Sequence, residues 1–248
     1  MMNVAIITGA SSGIGKEFAI QLDKRKDIDE IWLIAQNFER LEALSKELNH
    51  KSKFFSLNLA LNDSYETFKI LLRGENPNIR YLINAAGFGK TDPNLDEMNG
   101  MIDVNIKGVV NLTALSIQYM HKNSRIINIA SMAGVMPLPH LNIYAATKAF
   151  IIHYSHALHY ELKIKGINVS CICPGWTNTN FMKTANVKLK KNPLMPVYES
   201  NKVVKRALKL SNYHITCGTY GAIYNIENVL CKIFPKRIVM EVWNTINK

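Results

Sequence analysis

Cysteine is scarce in this sequence, with four among 248 residues. The pair Cys171 and Cys173 falls in a strand pattern, and together with Cys217 and Cys231 it does not match the usual spacing of zinc ligands. The low count argues against a disulfide scaffold. We therefore predict no metal site and expect all four cysteines to be reduced packing residues in a reducing compartment.

Long apolar runs are also missing, since none approaches the ~20 residues that a membrane-spanning helix needs. The first strand pattern, at 4–8, begins so early that it leaves no room for a secretory signal. Internal repeats and low-complexity linkers are lacking as well. We expect one cytoplasmic domain over 1–248, with a substrate-loop region at 176–200 and an amphipathic tail at 219–248.

Acidic residues are few: 19 Asp and Glu stand against 30 Lys and Arg, for a net charge of +11. Twelve of the basic residues but only three of the acidic ones follow residue 178. Such a region can attract an anionic substrate, an acidic carrier protein or an anionic membrane, or it can be a solvated basic face. Basic runs interleaved with aromatics are not found, which argues against a nucleic-acid partner.

Short β-branched runs alternate with helical patterns along most of the chain. This alternation predicts an α/β fold, a doubly wound parallel sheet with helices on both faces. Around Pro235 the apolar spacing predicts two short amphipathic helices. The predicted strands are 4–8, 31–35, 53–57, 81–84, 125–130 and 167–173, and the predicted helices are 13–25, 38–49, 62–73, 100–122, 143–165 and 199–210.

A glycine-rich turn, Thr-Gly-Ala-Ser-Ser-Gly-Ile-Gly at 8–15, joins the first strand to the first helix. Glycines let the backbone approach a pyrophosphate, and the free amides and positive dipole end of the helix favour its charge. This context predicts a dinucleotide site.

Tyr144 and Lys148 are four residues apart in a helical pattern, so their side chains emerge on one face. A carbonyl that accepts hydride needs a proton, and a phenol can supply it. A nearby ammonium group favours the phenolate and lowers the tyrosine pKa. The pair therefore predicts acid–base chemistry next to the dinucleotide.

These motifs, in this order, resemble those of the short-chain dehydrogenase/reductase family over residues 3 to 180. Asn-Ala-Ala-Gly at 84–87 resembles the family motif beside the adenine, and Pro-Gly-Trp-Thr-Asn-Thr at 174–179 resembles its segment beside the nicotinamide. The resemblance implies a Rossmann fold and a catalytic tetrad. In it Tyr144 is the acid–base, Lys148 lowers its pKa and binds ribose, Ser131 bonds the substrate oxygen, and Asn105 organises a water relay.

The resemblance also implies which residues bind the cofactor. At the end of the second strand Ala35 stands where a carboxylate would select NAD, so NADP(H) is favoured and NAD(H) is the alternative. Lys16 and Arg40 are candidate partners for a 2′-phosphate, and Asn58 is expected to contact the adenine amino group. The full set is Gly9, Ser11, Ser12, Gly13, Ile14, Gly15, Gln36, Asn58, Leu59, Asn84, Ala85, Ala86, Gly87, Tyr144, Lys148, Pro174, Gly175, Thr177 and Thr179.

The implied activity is reversible hydride transfer between a nicotinamide and a ketone or secondary alcohol. Two substrate classes stay open, a 3-oxoacyl thioester and a hydroxysteroid, with Leu138, Trp176 and Phe181 as expected apolar walls. The rival from another class is a non-catalytic protein that senses the dinucleotide. Loss of tetrad residues would be its signature, and all four are present.

The remaining expectations concern four histidines and the surfaces of the two longest predicted helices. His153, His156 and His159 are spaced along one helix and are interpreted as packing or interface residues, since no carboxylate or cysteine pattern accompanies them. His140 is either a loop residue or a pocket border.

The resemblance implies a homodimer or homotetramer that forms through 100–122 and 143–165. We favour this assembly, or packing of the tail on the pocket, and rank peripheral membrane contact by the tail below both.

Overall fold

The computed structural model describes residues 1–186 and 195–247. The strands of its main sheet are β1 (Asn3–Thr8), β2 (Glu30–Ala35), β3 (Lys51–Ser56), β4 (Asn78–Asn84), β5 (Arg125–Ile129), β6 (Asn168–Cys173) and β9 (Cys217–Thr219), and a small separate ladder pairs β7 (Thr177–Asn178) with β8 (Tyr198–Glu199). The order in the main sheet is β3-β2-β1-β4-β5-β6-β9, and every neighbouring pair is parallel. The predicted doubly wound α/β fold is confirmed.

Helices cover both faces of the sheet, because its strands are apolar on both sides. The helices are α1 (Gly13–Leu22), α2 (Phe38–Glu47), α3 (Asn62–Glu75), α4 (Leu95–Ile102), α5 (Val109–Ile117), α6 (Asn142–Leu162), α7 (Phe181–Thr184), α8 (Ser200–Asn212), α9 (Ala222–Ile233) and α10 (Lys236–Asn247). One core cluster joins α1, α2 and α8 to the sheet, for example through Phe18, Leu41 and Val204. The other joins α3, α5 and α6 through residues such as Phe68 and Leu112.

The predicted helix at 100–122 is wrong in its bounds and in its regularity. The helical segment begins at Leu95, where the Asn94 side chain and Glu97 form a capping box, and α5 ends at Ile117. Between α4 and α5 the backbone forms a π-helix over Asp103–Gly108. Such wide turns are rare and are frequently found at functional sites. No periodicity rule applied to the sequence anticipates it.

The order of the sheet reverses between β1 and β4, since β2 and β3 extend one way and β5, β6 and β9 the other. Ligands of open α/β sheets bind at the carboxyl edge beside such a reversal. The turn that follows β1 and the turn that follows β4 meet there, because a Cβ on Gly9 would lie 2.9 Å from the backbone of Ala85. The fold thus brings two predicted motifs together.

Strand β9, at the edge of the main sheet, was not among the predicted strands. Only three residues long and containing Gly218, β9 is too short to show a periodic pattern. It pairs with β6, placing Cys217 opposite Cys171. The described part of the 176–200 region contains α7 and the β7–β8 ladder, where the sequence predicts a substrate loop. Residues 187–194 lie outside the described residues.

The two predicted tail helices are confirmed as α9 and α10, on either side of Pro235. Val239 and Trp243 pack against the cluster that contains Tyr144 and Met136. The tail also has a solvent-exposed apolar face, with large side chains at Ile226, Val229, Leu230, Ile233, Phe234, Ile238 and Val242. Over the described residues, the helices fall short of the length and apolarity that a bilayer crossing requires.

Candidate active site

A cavity of about 550 Å³ opens at the carboxyl edge of the sheet, over the β1–β4 reversal. Most of the predicted site residues line it. These are Gly9, Ser11, Ser12, Gly13, Ile14, Gly15, Gln36, Leu59, Ala85, Ala86, Gly87, Ser131, Tyr144, Lys148, Pro174, Gly175, Thr177 and Thr179. Asn58, Asn84 and Asn105 do not line it.

The glycine turn is closed so tightly that side chains do not fit. A Cβ on Gly15 would lie 2.2 Å from the carbonyl oxygen of Gly9, and Gly9 itself has φ +66°. Because no side chains intervene, the first backbone amides of α1, which have no partner within the helix, are open to the cavity. This cradle fits the pyrophosphate of a dinucleotide.

Two hydroxyl residues hold the loops around this cradle. The backbone amides of Ala85 and Ala86 both donate to Thr8 Oγ1 at 3.0 Å, which ties the turn after β4 to the end of β1. On the other side, Thr179 lies 3.1 Å from where a Gly13 Cβ would be. The cradle is therefore bordered by the turns after β1 and β4 and by the Thr179 side chain.

Tyr224, from α9, supports the segment after β6. A Cβ on Gly175 would lie 2.0 Å from the Tyr224 ring, so the ring lies directly on the Gly175 backbone. The Tyr224 hydroxyl donates to the Pro196 carbonyl at 2.8 Å and accepts from the Trp176 amide at 3.1 Å. The sequence offered no signal for Tyr224, because its role arises from a contact between residues about fifty positions apart.

At the end of β2, the cavity wall is made of Ala35, Gln36 and Asn37. Neither of the two candidate phosphate partners lines the cavity: Lys16 pairs with Glu47 at 3.0 Å, and the backbone amide of Arg40 donates to the Asn37 side chain. Across the described lining, no carboxylate lies at this end. A 2′-phosphate would meet no negative charge here.

Two of the asparagines outside the lining, Asn58 and Asn84, form hydrogen bonds with neighbouring side chains of the protein. The Asn58 side-chain oxygen accepts from Gln36 Nε2 at 3.0 Å, so the atom expected to contact adenine is engaged by Gln36. Asn84 is buried and donates to Thr113 and to Asn128, linking two strands beneath the cavity. Both residues therefore brace the neighbouring strands.

Ser131 and Tyr144 meet at the base of the cavity. Ser131 follows β5 and caps a short 3₁₀ turn, its oxygen accepting from the Ala133 amide at 3.1 Å. The predicted lowering of the Tyr144 pKa is not found: burial raises the pKa of Tyr144 to about 12, and the interaction with the Ser131 side chain opposes that rise only in part. At neutral pH the phenol thus carries its proton and can act as an acid.

Lys148 extends from α6 to the end of β5, where its Nζ donates to the Ile129 carbonyl at 2.8 Å. Its Nζ lies 5.8 Å from the centre of the Tyr144 ring. Burial lowers the Lys148 pKa to about 8. The ammonium form still predominates at pH 7, so a positive charge lies beside the phenol.

Asn105 lies on the π-helix and is fully buried. Its side chain exchanges two hydrogen bonds with the Phe88 backbone, at 3.0 and 2.9 Å, and donates to Thr147 at 3.1 Å. A Cβ on Gly87 would lie 2.9 Å from the Asn105 oxygen and 3.3 Å from Lys148 Nζ. Asn105 thus lies next to the lysine, one layer behind the cavity wall.

The far end of the cavity is apolar. The expected walls Leu138, Trp176 and Phe181 all line it. Sequence reasoning did not predict the rest of this end, which comes from distant parts of the chain. These residues are Phe88, Met136, Leu141, Met195, Tyr224, Glu227 and Trp243. His140 is not in the described lining; it is an exposed loop residue whose Nδ1 lies 2.9 Å from Asp92.

Glu227 is the acidic residue of this apolar end. Burial raises its pKa to about 7. At neutral pH the side chain is therefore divided between a carboxylate and a neutral acid. No sequence pattern identifies it, because its environment is created by α9 folding over the cavity.

A glycine cradle at the sheet reversal, joined to Ser131 and to the buried Tyr144 and Lys148, defines a dinucleotide-binding α/β oxidoreductase. The chain belongs to the short-chain dehydrogenase family, whose model, described as "short chain dehydrogenase", matches residues 3–190. It is therefore an oxidoreductase that acts on carbonyl or alcohol groups. The very-long-chain 3-oxoacyl-CoA reductase of Rattus norvegicus is 30% identical over 258 residues, covering 98% of this chain and 79% of that protein.

Solved structures show the same fold. A short-chain dehydrogenase from Sphingobium yanoikuyae in complex with NADPH is 28% identical with a TM-score of 0.78, covering 88% of this chain and 87% of that one. A bulky-bulky ketone specific alcohol dehydrogenase from Comamonas testosteroni is 25% identical with a TM-score of 0.72, covering 88% and 86%. The seven-stranded parallel sheet is thus shared with enzymes of this family.

Proposed function

We propose that this protein is an NADP(H)-dependent reductase of apolar ketones, with Tyr144 as the proton donor. The observation that supports this most directly is that Ser131 and Tyr144, whose side chains interact, both line a cavity that has a glycine cradle at one end and apolar walls at the other. A substrate carbonyl between the two ends would meet both hydroxyl groups.

Each catalytic side chain has one task in this proposal. Tyr144, protonated at neutral pH, donates its proton to the carbonyl oxygen, while Ser131 donates a hydrogen bond to the same oxygen. Lys148 keeps a positive charge beside the ring and stabilises the phenolate that remains. Asn105 fixes the Phe88 backbone next to Lys148. When bound, the nicotinamide supplies the hydride.

NADP(H) is favoured because the wall at Ala35 carries no carboxylate. NAD(H) stays the alternative, since neither Lys16 nor Arg40 lines the cavity. Ala35→Asp places a carboxylate at the 2′ position, and we expect it to shift binding preference towards NADH. Fluorescence titration of both cofactors tests this. Tighter binding of NADH than NADPH to the unmodified enzyme would contradict the proposed preference.

A 3-oxoacyl thioester is the substrate class that we favour. The apolar end suits an acyl chain, and the net charge of +11 favours approach of an anionic thioester. The similarity to very-long-chain 3-oxoacyl-CoA reductases supports this class. A hydroxysteroid is the second candidate, since Phe88, Met136 and Trp243 would also accept a rigid apolar ring system.

Oxidation of NADPH, followed by absorbance, distinguishes these substrates. The panel contains 3-oxoacyl thioesters of increasing chain length, steroid ketones and small ketones, each with the enzyme and with Tyr144→Phe as the background. We expect kcat/KM to rise with acyl chain length. A higher kcat/KM for steroids would transfer the assignment to them, and no oxidation with any ketone would support the non-catalytic dinucleotide sensor.

We further propose that 1–248 fold as one domain that assembles into a dimer or tetramer in the cytoplasm. The α9–α10 pair supports a single unit, because Val239 and Trp243 pack on the cavity cluster. Its exposed apolar face needs a cover, either another subunit or an anionic membrane near Lys232, Lys236 and Arg237. Light scattering tests this: a monodisperse monomer that sediments with anionic vesicles would reject the oligomer and favour the membrane.

A further inference from the structure

Three cysteine thiols meet on one face of the sheet, behind the cavity. Cys171 and Cys173 are two residues apart on β6 and therefore point to the same side, while β9 pairs Cys217 with Cys171. The three sulfur atoms lie within 4.8 Å of one another, and the Cys173 and Cys217 sulfurs are 3.6 Å apart. All three are free thiols. The sequence spacing gave no indication of this cluster, because the pairing of β9 creates it.

His156 supplies a fourth group. It lies on α6, which packs against β6 and β9, and its side chain interacts with the Cys217 thiol. The Ser155 hydroxyl next to it interacts with Cys171. His156 is exposed and Cys217 is half-buried, whereas Cys171 and Cys173 are buried. The cluster is therefore open to solvent on the His156 side and closed on the other.

We propose that Cys171, Cys173, Cys217 and His156 form a binding site for a zinc ion. Tetrahedral zinc with Zn–S bonds of ~2.3 Å holds its sulfur ligands ~3.8 Å apart. The 3.6 Å between the Cys173 and Cys217 sulfurs agrees with this distance. The 4.8 Å limit for the three sulfur atoms requires only a small side-chain movement, and the exposed His156 side chain would rotate to complete the set. Three thiolates and one imidazole are a common ligand set of structural zinc sites.

Binding is a ligand exchange without oxidation or reduction. Zn²⁺ forms three Zn–S bonds and one Zn–N bond, and each cysteine that still carries its proton releases it to solvent. No co-reactant is required. The path from solvent past His156 and Cys217 allows both the metal to enter and the protons to leave.

A disulfide explains the cluster less well. Cys173 and Cys217 are diagonal across β6 and β9, and strand spacing and rise place their Cα atoms roughly 8 Å apart. A disulfide requires less than ~7 Å. Cys171 and Cys217 are direct neighbours, but bonding them would need an oxidant and would leave Cys173 unused. A metal uses all three thiols.

The position of the site indicates its effect. Cys173 is the last residue of β6, and Pro174 and Gly175, which follow it, line the cavity. A zinc ion would fix the short strand β9 to β6 and so hold the start of the 174–179 segment in place. We expect the ion to stabilise the fold without touching the reacting atoms.

Metal binding can be measured without any assay of activity. The full chain, reduced and stripped with a chelator, is titrated with Co²⁺ and then with Zn²⁺ in the absence of oxygen. We expect sulfur-to-cobalt charge-transfer absorption and the intense visible bands of tetrahedral cobalt, both displaced by zinc at one equivalent per chain. Elemental analysis after gel filtration checks the stoichiometry.

Variants then assign the ligands. Cys217→Ser and His156→Ala should each weaken zinc binding by at least about tenfold, since even outer partners of metal ligands contribute that much. Cys231→Ser is the matched control, because Cys231 lies in a different cluster, next to Met136. It should bind like the unmodified protein.

Several outcomes would overturn the proposal. They are cobalt spectra without sulfur charge transfer, equal zinc affinity in Cys217→Ser, and loss of binding in Cys231→Ser. A mass lower by two hydrogen atoms before reduction, with no zinc bound after it, would establish a disulfide instead. Because a variant can misfold, the melting temperature of the unmodified protein is also measured with zinc. A ligand of the native state must raise it, and no rise would reject the site.

Discussion

The two ends of the cavity are built in different ways. At the cofactor end the walls are backbone and glycine, and a Cβ on Gly15 would collide with the Gly9 carbonyl at 2.2 Å. At the substrate end the walls are large apolar side chains from several elements, including Met136, Phe181 and Trp243. The cofactor end depends on the absence of side chains, and the substrate end depends on their presence.

This difference predicts a difference in tolerance. Backbone cannot move away from a new Cβ without displacing a strand or a helix end, so substitutions at the cofactor end should be severe. Apolar side chains of similar volume can replace one another in a core at a cost of less than ~1.5 kcal/mol. Residues at the substrate end can therefore be exchanged for other apolar residues while that end of the cavity stays apolar.

The largest effect is expected at Tyr144, where the two ends meet. Tyr144→Phe removes the transferable proton and keeps the ring, so kcat should fall by about 10²–10⁴-fold. The Kd for NADPH should change little, because the cradle is untouched. Stopped-flow turnover and fluorescence titration measure the two quantities. An ordinary kcat in this variant would exclude Tyr144 as the acid.

The next effect is at the cofactor end. Gly15→Ala forces α1 away from the turn. We expect NADPH affinity to fall by roughly 100-fold, because a few charge-assisted hydrogen bonds to the pyrophosphate are lost. Gly74→Ala is the control, since nothing lies within 4 Å of its Cβ and α3 should gain slightly in stability. Equal NADPH affinity in both variants would show that the turn is not a cradle.

A smaller effect is expected at the substrate end. Trp243→Ala enlarges the cavity, so KM for a long apolar substrate should rise roughly tenfold, while KM for a small ketone stays nearly constant. Ile238→Ala, on the exposed face of the same helix, is the matched control. Steady-state kinetics with both substrates measures the ratio. A parallel change in both KM values would mean that Trp243 acts on the fold as a whole.

The smallest effect concerns the pH dependence of stability. Burial raises the pKa of Glu227 from 4.5 to about 7, so the native state binds this proton more tightly than the unfolded chain. Stability from this group is complete below pH 4.5 and is lost as pH rises through 7. Melting temperatures of Glu227→Gln relative to the unmodified protein should therefore increase across this range.

The control is Glu241→Gln, which removes an exposed carboxylate of α10. Its melting temperature, compared with that of the unmodified protein, should show no comparable change between pH 4.5 and 7. If both variants behave alike, the burial of Glu227 against the cavity has no energetic consequence.

The same contrast explains what could be predicted from the sequence. The glycine turn and the Tyr144–Lys148 pair are local, with fixed spacing, and the structure places them together as expected. Tyr224, Glu227 and the strand β9 are defined by contacts across the chain, and no local pattern carries such information. The predicted partners Lys16 and Asn58 were placed by analogy of position, and each is engaged by a neighbouring side chain.

The π-helix at Asp103–Gly108 makes chain length itself important at one point. A wide turn contains an additional residue relative to an α-helix, and each α-helical residue turns the chain by ~100°. Deleting one residue here would return the turn to regular α-helical geometry and keep α4 and α5 in nearly the same rotational phase, so Met101 would stay in the cluster beneath the substrate end and Leu112 on the sheet. The side chains within the turn would instead change register, and Asn105 would leave its place beside the Phe88 backbone and Lys148. A family member shorter by one residue in this segment would therefore keep the substrate wall and need another group in the place of Asn105.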